Sequence, residues 1–227
     1  MIVRQLFDPD TSTYTYIVAD PATREAAIID SVKSQVDRDI RVMEEMGVVP
    51  RYALETHVHA DHVTGAGELR RRLGVKVGVH KDGGAECADL QLDDGDEIRL
   101  GESRIRVLHT PGHTNGDVSY LIDGAVFTGD ALLIRGCGRT DFQQGDPARL
   151  YDSITGKLFT LPDDTLVYPG HDYQGLTVST IGEEKRFNPR LGNGRDKASF
   201  VELMNSLNLD PPRYIDVAVP GNLRCGT

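Results

Sequence analysis

Seven histidines lie between positions 57 and 171, and five of them fall into a pattern typical of metal ligands. The pattern begins with the segment THVHADH at 56–62. Three later motifs each follow a predicted strand: TPGHT with His113, TGD with Asp130, and PGHD with His171. Imidazole and carboxylate groups together suit zinc, iron or manganese and do not select among them. The sequence therefore predicts a metal site built by four loops.

The spacing within the first motif has a geometric reason. Side chains two residues apart on an extended segment project to one face, so His57 and His59 can approach a common cation. A helix does not bring residues at i and i+2 together. We expect Asp61 and His62 to lie where this loop turns into a helix, whose free N–H groups help to hold a nearby carboxylate or metal-bound oxygen.

The elements that must position these loops fall into two strand-rich halves. In the first half we predict a helix over Lys33–Met46, because Val36, Ile40 and Met43 recur at helical spacing, followed by a strand at Arg51–Glu55. The other predicted strands of this half are Ile2–Phe7, Tyr14–Ala19 and Glu25–Ile29.

In the second half, bounds are predicted for five strands and three helices. The strands are Val75–Val79, Glu97–Leu100, Arg104–His109, Val118–Ile122 and Ala125–Phe127, and the helices are Pro147–Ile154, Leu176–Lys185 and Lys197–Leu207. Two strand groups with helices outside each imply an α/β protein with a four-layer α/β/β/α sandwich. We expect one domain over residues 1–227, with a short C-terminal extension from about residue 186.

Composition excludes several classes of function. The chain has 25 basic and 35 acidic residues, for a net charge of −10, which disfavours binding to nucleic acid. No apolar run approaches the roughly 20 residues of a membrane span, so no membrane partner is expected. The cysteines, Cys87, Cys137 and Cys225, are too few and too scattered to predict a disulfide framework, and no signal segment is seen. A reducing cytoplasm is the expected location.

The motif set HVHADH, TPGHT, TGD and PGHD resembles the metallo-β-lactamase superfamily, whose fold is the four-layer sandwich with its metal between the sheets. Within it, further segments are similar to those of the persulfide dioxygenases, and the match extends from the first strand to the tail. These segments are TDFQQG at 140–145, NPRL at 188–191, IDVAVP at 215–220 and NLRCG at 222–226, whereas GCGR at 136–139 is shared with the glyoxalase II branch.

This resemblance implies an enzyme with one Fe(II) per chain, held by His57, His113 and Asp130 as catalytic ligands. Such a triad leaves open positions for a substrate sulfur and O₂. The implied reaction oxidises the outer sulfur of glutathione persulfide with O₂ and gives sulfite and glutathione. Five other residues are expected to orient the ligands and bound water from outside the iron coordination sphere: His59, Asp61, His62, His171 and Asp172.

Two alternatives stay open at this level. The first four of those five residues complete the ligand set of a dinuclear glyoxalase II-type hydrolase of glutathione thioesters, so the ligands alone do not exclude two metals. Against the hydrolase stand the TDFQQG segment and a tail too short for the helical substrate domain of that branch. A non-catalytic metal protein is less favoured, since structural sites tend to be closed and cysteine-rich.

Several side chains have both a functional and an ordinary interpretation. Arg139 either binds a glutathione carboxylate or pairs with Asp141. Tyr173 either lines a pocket mouth or packs at the surface. Arg213 is a weaker substrate candidate that could equally be solvated, and Asp172 could instead cap a helix. Ordinary roles are favoured for a further three residues, packing for Cys137 and hydrogen bonding for His80 and His109. The apolar faces would also permit a homodimer.

Overall fold

Two six-stranded sheets face each other in the computed structural model, which describes residues 1–227. In the first sheet the strands follow chain order: β1 Ile2–Asp8, β2 Thr13–Ala19, β3 Glu25–Ile29, β4 Val49–Leu54, β5 Lys76–His80 and β6 Leu90–Leu92. Strands β1 to β3 pair antiparallel, and β3 to β6 pair parallel.

The second sheet is antiparallel except for one parallel pair, β10 with β11. Its strands also lie side by side in chain order: β7 Glu97–Leu100, β8 Ser103–His109, β9 Val118–Ile122, β10 Ala125–Gly129, β11 Leu166–Pro169 and β12 Ser179–Thr180. Six α-helices complete the structure: α1 Val36–Met46, α2 Ala66–Leu73, α3 Pro147–Gly156, α4 Ile181–Phe187, α5 Lys197–Asn205 and α6 Ile215–Asn222. None of them is long and apolar enough to cross a bilayer.

Three clusters of buried apolar side chains define the layers. The middle cluster lies between the two sheets and contains the fully buried Tyr16, Tyr120 and Phe127. A second cluster packs α1 and α2 on the outer face of the first sheet, and a third packs α3 and α5 outside the second sheet. This α/β/β/α order confirms the predicted fold class.

The helix signals in the sequence were accurate where capping chemistry was explicit. Asp146 accepts hydrogen bonds from the amides of Ala148 and Arg149, with Pro147 at the first position of α3. The helix predicted over Leu176–Lys185 instead begins at Ile181, because Ser179 and Thr180 pair with β11. Helix α6 was not predicted: it is short, contains Pro220 and has a weak apolar pattern.

The cysteines were expected to be too few and too scattered for a disulfide framework, but one disulfide is present. Cys87 and Cys225 are bonded, with their Cα atoms 6.0 Å apart, and only Cys137 is free. No local pattern signals this bond, because the partners are 138 residues apart and meet only when the tail folds back over the first sheet. The bond therefore ties the tail to the first sheet, and Cys225 is buried.

Candidate metal centre

The predicted ligands come together at one edge of the sandwich, where strands β4, β8, β10 and β11 end. The loop after β4 carries His57, His59, Asp61 and His62, and the other three strands deliver His113, Asp130 and His171. Since β10 and β11 run parallel, their carboxyl ends lie side by side. The loops of two different sheets thus share one site.

His57, His113 and Asp130 form a triad in which each offers a ligand atom within 4.8 Å of the others. His113 Nε2 lies 3.6 Å from Asp130 Oδ2. The His57 and His113 rings are 5.0 Å apart and nearly perpendicular. A cation between them would be approached from three directions, as a facial triad requires.

Hydrogen bonds leave the Nε2 atoms of both histidines free to bind a metal. Thr56 donates its hydroxyl proton to Asp30 at 2.8 Å, so Thr56 Oγ1 must accept from His57 Nδ1 at 3.0 Å. His113 donates from Nδ1 to the Arg139 carbonyl at 2.7 Å. A proton fixed on Nδ1 leaves the lone pair of Nε2 for a cation.

A second group adjoins the triad. His59, Asp61 and His62 also bring ligand atoms within 4.8 Å of one another. His171 Nε2 lies 3.5 Å from Asp61 Oδ2 and 3.6 Å from Asp130 Oδ1, so Asp130 stands between the two groups. The geometry therefore assembles all seven predicted ligand-type residues.

Three buried polar atoms at this site have no hydrogen-bond partner: His59 Nδ1, His62 Nε2 and Asp130 Oδ1. Buried polar atoms without a partner are uncommon in native proteins, and a bound ion is one explanation for them. The donor set is imidazole and carboxylate, without thiolate. The residues present thus fit a transition-metal cation of the iron, zinc or manganese type.

The charges around the histidines differ sharply. Burial lowers the pKa of His57 well below its usual value, which keeps the ring neutral. Burial alone would lower the pKa of His59 too, but Asp30 and Glu55 outweigh it and raise that pKa well above normal. His59 Nε2 lies 3.1 Å from Asp30 Oδ1 and 3.3 Å from Glu55 Oε2. Two rings only two residues apart thus lie in opposite electrostatic environments.

A cavity of about 440 Å³ opens over His113 and Asp130 of the triad, within the range of small-molecule sites. The predicted substrate residues Arg139 and Tyr173 line it. Arg213 does not: its guanidinium stacks on the Tyr214 ring, 5.2 Å from the centroid. The structure places Arg190 on the cavity wall instead.

Arg139 is largely committed to its own loop. Its guanidinium bonds both carboxylate oxygens of Asp141 at 2.7 Å and donates to the carbonyls of Leu209 and Asp210. It also lies 4.5 Å above the Phe142 ring. Of the two predicted interpretations of Arg139, the structure shows the pairing with Asp141. The bonds to the carbonyls of Leu209 and Asp210 join two walls of the cavity.

Asp172 serves the turn that follows it. Its Oδ1 accepts hydrogen bonds from the amides of Gln174 and Leu176 at 2.8 and 2.7 Å, and no helix begins here, since Thr180 caps α4. Tyr173 is 75% exposed at the rim, its ring parallel to that of His171.

Cys137 is buried as predicted, and two further histidines make hydrogen bonds. Burial raises the pKa of the Cys137 thiol to about 11, which suits packing and not nucleophilic attack. His80 and His109 stack on each other outside the four loops. His109 donates to the carbonyl of Asn115, and His80 accepts from the amide of Asp82.

Four residues behind the site were missed by sequence reasoning: Asp30, Glu55, Thr56 and Asn222. Asp30 and Glu55 end strand segments that read as ordinary apolar β structure, and Asn222 is 160 residues from the loop that it contacts. The only available signal was the combination of acidic residues at strand ends with the histidine motif.

Comparisons with known proteins agree with this geometry. Residues 8–171 match the family model described as the metallo-beta-lactamase superfamily. The human protein named persulfide dioxygenase ETHE1, mitochondrial, is 48% identical over 100% of this chain and 89% of its own length. The crystal structure of ETHE1 from Myxococcus xanthus superposes with a TM-score of 0.97 at 54% identity and covers both chains fully. A hydroxyacylglutathione hydrolase from Bradyrhizobium is 40% identical, over 74% of this chain and 66% of its own.

Proposed function

The chain belongs to the metallo-beta-lactamase superfamily, and from that premise we propose that it is an Fe(II) persulfide dioxygenase. The reaction is the oxidation of glutathione persulfide by O₂ to sulfite and glutathione. The observation that carries the proposal is similarity to persulfide dioxygenases over the whole chain, tail included, at 48% identity. The hydrolase relative is matched over a smaller part.

The residues of the triad have defined tasks in this reaction. Bound iron would activate O₂ and hold the persulfide sulfur beside it. His57 and His113 present Nε2 atoms and Asp130 presents a carboxylate, and the cavity over His113 and Asp130 gives room for both reactants. Thr56 and the Arg139 carbonyl keep the two rings in the ligand tautomer.

A single iron in the triad is the proposed metal content, and similarity to the persulfide dioxygenases supports it. The four further ligand-type residues, His59, Asp61, His62 and His171, then act through hydrogen bonds to water and to the ligands. Among these four residues, His171 lies beside a triad ligand: its Nε2 is 3.6 Å from Asp130 Oδ1 and can orient that carboxylate.

Substrate contacts are proposed on the cavity wall. The chain carries a net charge of −10, so an anionic glutathione moiety needs a local cation. Arg190 and Arg139 supply guanidinium groups on this wall, and Tyr173 offers an exposed ring at the rim. The homodimer and the cytoplasmic location stay predictions, and a disulfide in a reducing compartment would have to resist cellular thiols.

The test combines an oxygen electrode with metal analysis. Anaerobically purified protein loaded with Fe(II) should consume O₂ on addition of glutathione persulfide and release sulfite, with about one iron per chain. Protein loaded with zinc is the matched control and should be inactive. Absence of O₂ uptake with fully iron-loaded protein would overturn the proposal.

A glyoxalase II-type thioester hydrolase is the second candidate, because the complete seven-residue ligand set is present. Two metals per chain together with hydrolysis of a hydroxyacylglutathione thioester would establish it.

A further inference from the structure

The carboxyl-terminal segment folds back onto the loop that carries HVHADH, and one side chain makes most of the polar contact. Asn222, the last residue of α6, is 5% exposed. Its amide nitrogen donates to the carbonyls of His59 at 2.9 Å and His62 at 2.8 Å. Its amide oxygen accepts from the Thr64 N–H at 2.8 Å. A single amide thus pairs three backbone groups of the metal loop.

The loop depends on this side chain because it has no regular secondary structure of its own. No other group in the structure donates to the carbonyls of His59 and His62. An unpaired buried carbonyl is costly, so the loop would have to rearrange or admit water without the amide.

The fit between tail and loop is close on both sides of Asn222. The Gly67 amide donates to the Cys225 carbonyl at 2.9 Å, and a Cβ added to Gly67 would lie 2.4 Å from that oxygen. A Cβ on Gly226 would lie 2.0 Å from the carbonyl oxygen of Thr64. These close contacts leave no room for the loop to shift while the tail stays in place.

We propose that Asn222 is a positioning residue of the metal centre: it fixes the backbone of the HVHADH loop and so sets the geometry and retention of the metal held by His57. The chemistry requires an amide, since two donors and one acceptor are used at once. The substitution Asn222→Asp would keep the acceptor and lose both donors, and Asn222→Ala would lose all three.

The Cys87–Cys225 disulfide anchors this clamp. Cys225 lies three residues after Asn222, and Cys87 lies in the segment before β6, so the bond joins the tail to the first sheet. Opening the disulfide should therefore loosen Asn222 and weaken metal retention, but less than substitution of Asn222 does.

The experiment measures Co(II) in the full-length protein, so it needs neither iron nor persulfide. The inference rests on the metal site proposed above; a wild-type protein that does not bind Co(II) would remove that site, whatever Asn222 does. The variants are Asn222→Asp and Asn222→Ala. The matched control is Asn188→Ala, because Asn188 is equally buried and bonds Gly136, Glu184, Arg190 and Leu191 away from the loop.

Both Asn222 variants should release Co(II) to a chelator faster by a factor on the order of 10 to 100, with a changed visible spectrum of the bound ion. Asn188→Ala should keep the wild-type release rate and spectrum, even if its melting temperature falls by as much as that of the Asn222 variants. The proposal would be overturned if Asn222→Asp released Co(II) at the wild-type rate. It would also be overturned if Asn188→Ala accelerated release as much as the Asn222 variants, because the effect would then come from a general loosening of the fold.

The anchor is tested with dithiothreitol, which supplies two electrons and two protons, leaves thiols on Cys87 and Cys225, and becomes its own cyclic disulfide. The reductant is removed before Co(II) is added, because it binds the ion itself. Reduced wild type and Cys87→Ser should both release Co(II) at rates between those of oxidised wild type and Asn222→Ala. If neither differs from oxidised wild type, the disulfide has no part in the clamp.

Discussion

His113 Nδ1 lies 2.7 Å from the carbonyl oxygen of Arg139, so the residue that orients one metal ligand also braces the cavity wall. The Arg139 side chain holds Asp141 on one side and the carbonyls of Leu209 and Asp210 on the other. A single residue thereby couples the ligand geometry to the shape of the substrate cavity.

Replacement of Asp141 by asparagine tests whether Arg139 braces or binds. Loss of the carboxylate should loosen the Leu209–Asp210 wall and raise the KM for glutathione persulfide about two- to fivefold, the scale of a partly exposed ion pair, with kcat nearly unchanged. Steady-state O₂ uptake measures both. Asp152→Asn, which breaks the exposed Lys197 pair, is the control. A lower KM would mean that the freed Arg139 binds substrate.

Substitution of Asp130 by alanine should abolish both bound iron and O₂ uptake. Asp130 supplies the only carboxylate of the triad and stands between the two ligand groups. Metal analysis and the oxygen electrode are read on the same sample. Asp172→Asn is the matched control: its amide oxygen can still cap the turn to Leu176, and the variant should keep its iron. Full activity in Asp130→Ala would remove Asp130 from the mechanism.

Asp39, which lies outside the metal site, should make the free energy of unfolding depend on pH. It is fully buried on α1, and burial raises its pKa from 3.8 to about 6 despite the adjacent Arg38, with the Asp8 charge adding to the rise. A raised carboxyl pKa favours the folded state below pH 4 and penalises it as the pH rises through 6.

Asp39→Asn should therefore stabilise the protein at pH 8, by at most about 3 kcal/mol, and the gain should shrink towards zero near pH 4. Urea unfolding at several pH values measures the difference. Asp37→Asn, on the same helix but exposed, should show no such pH dependence. A destabilised Asp39→Asn at pH 8 would mean that the bond to Arg38 outweighs the burial cost.

The parts of the site that the sequence predicted are those encoded by local chemistry. HVHADH follows β4, and the other motifs likewise put their ligands just after strands, where the loops of a layered fold meet. The α3 cap could be predicted for the same reason, since Asp146 and Pro147 act on neighbouring residues.

The parts that escaped prediction depend on contacts between distant segments. Arg190 and Arg213 are both basic residues of the C-terminal region, but only Arg190 lines the cavity. The guanidinium of Arg213 instead stacks on the Tyr214 ring. Asn222 has no local signature, since its role exists only where α6 meets the metal loop. Propensity and spacing carry no information on such pairings.

The disulfide offers a test of how the tail contributes to global stability. It closes a segment of 138 residues, for which the chain-entropy model gives at most about 5 kcal/mol. Cys87→Ser should lower the free energy of unfolding in guanidinium by a large part of that amount, because Cys87 is only half-buried and its removal costs little else. Added reductant should destabilise the wild type and leave Cys87→Ser unchanged.

The double variant separates the bond from local packing. Cys225 is 1% exposed, so Cys225→Ser should cost more than Cys87→Ser, since a buried thiol becomes a poorly paired hydroxyl. Cys87→Ser combined with Cys225→Ser should then cost no more than Cys225→Ser alone, because the bond can be lost only once. Additive losses would show that the two cysteines stabilise the fold independently and that no bond joins the tail to the first sheet.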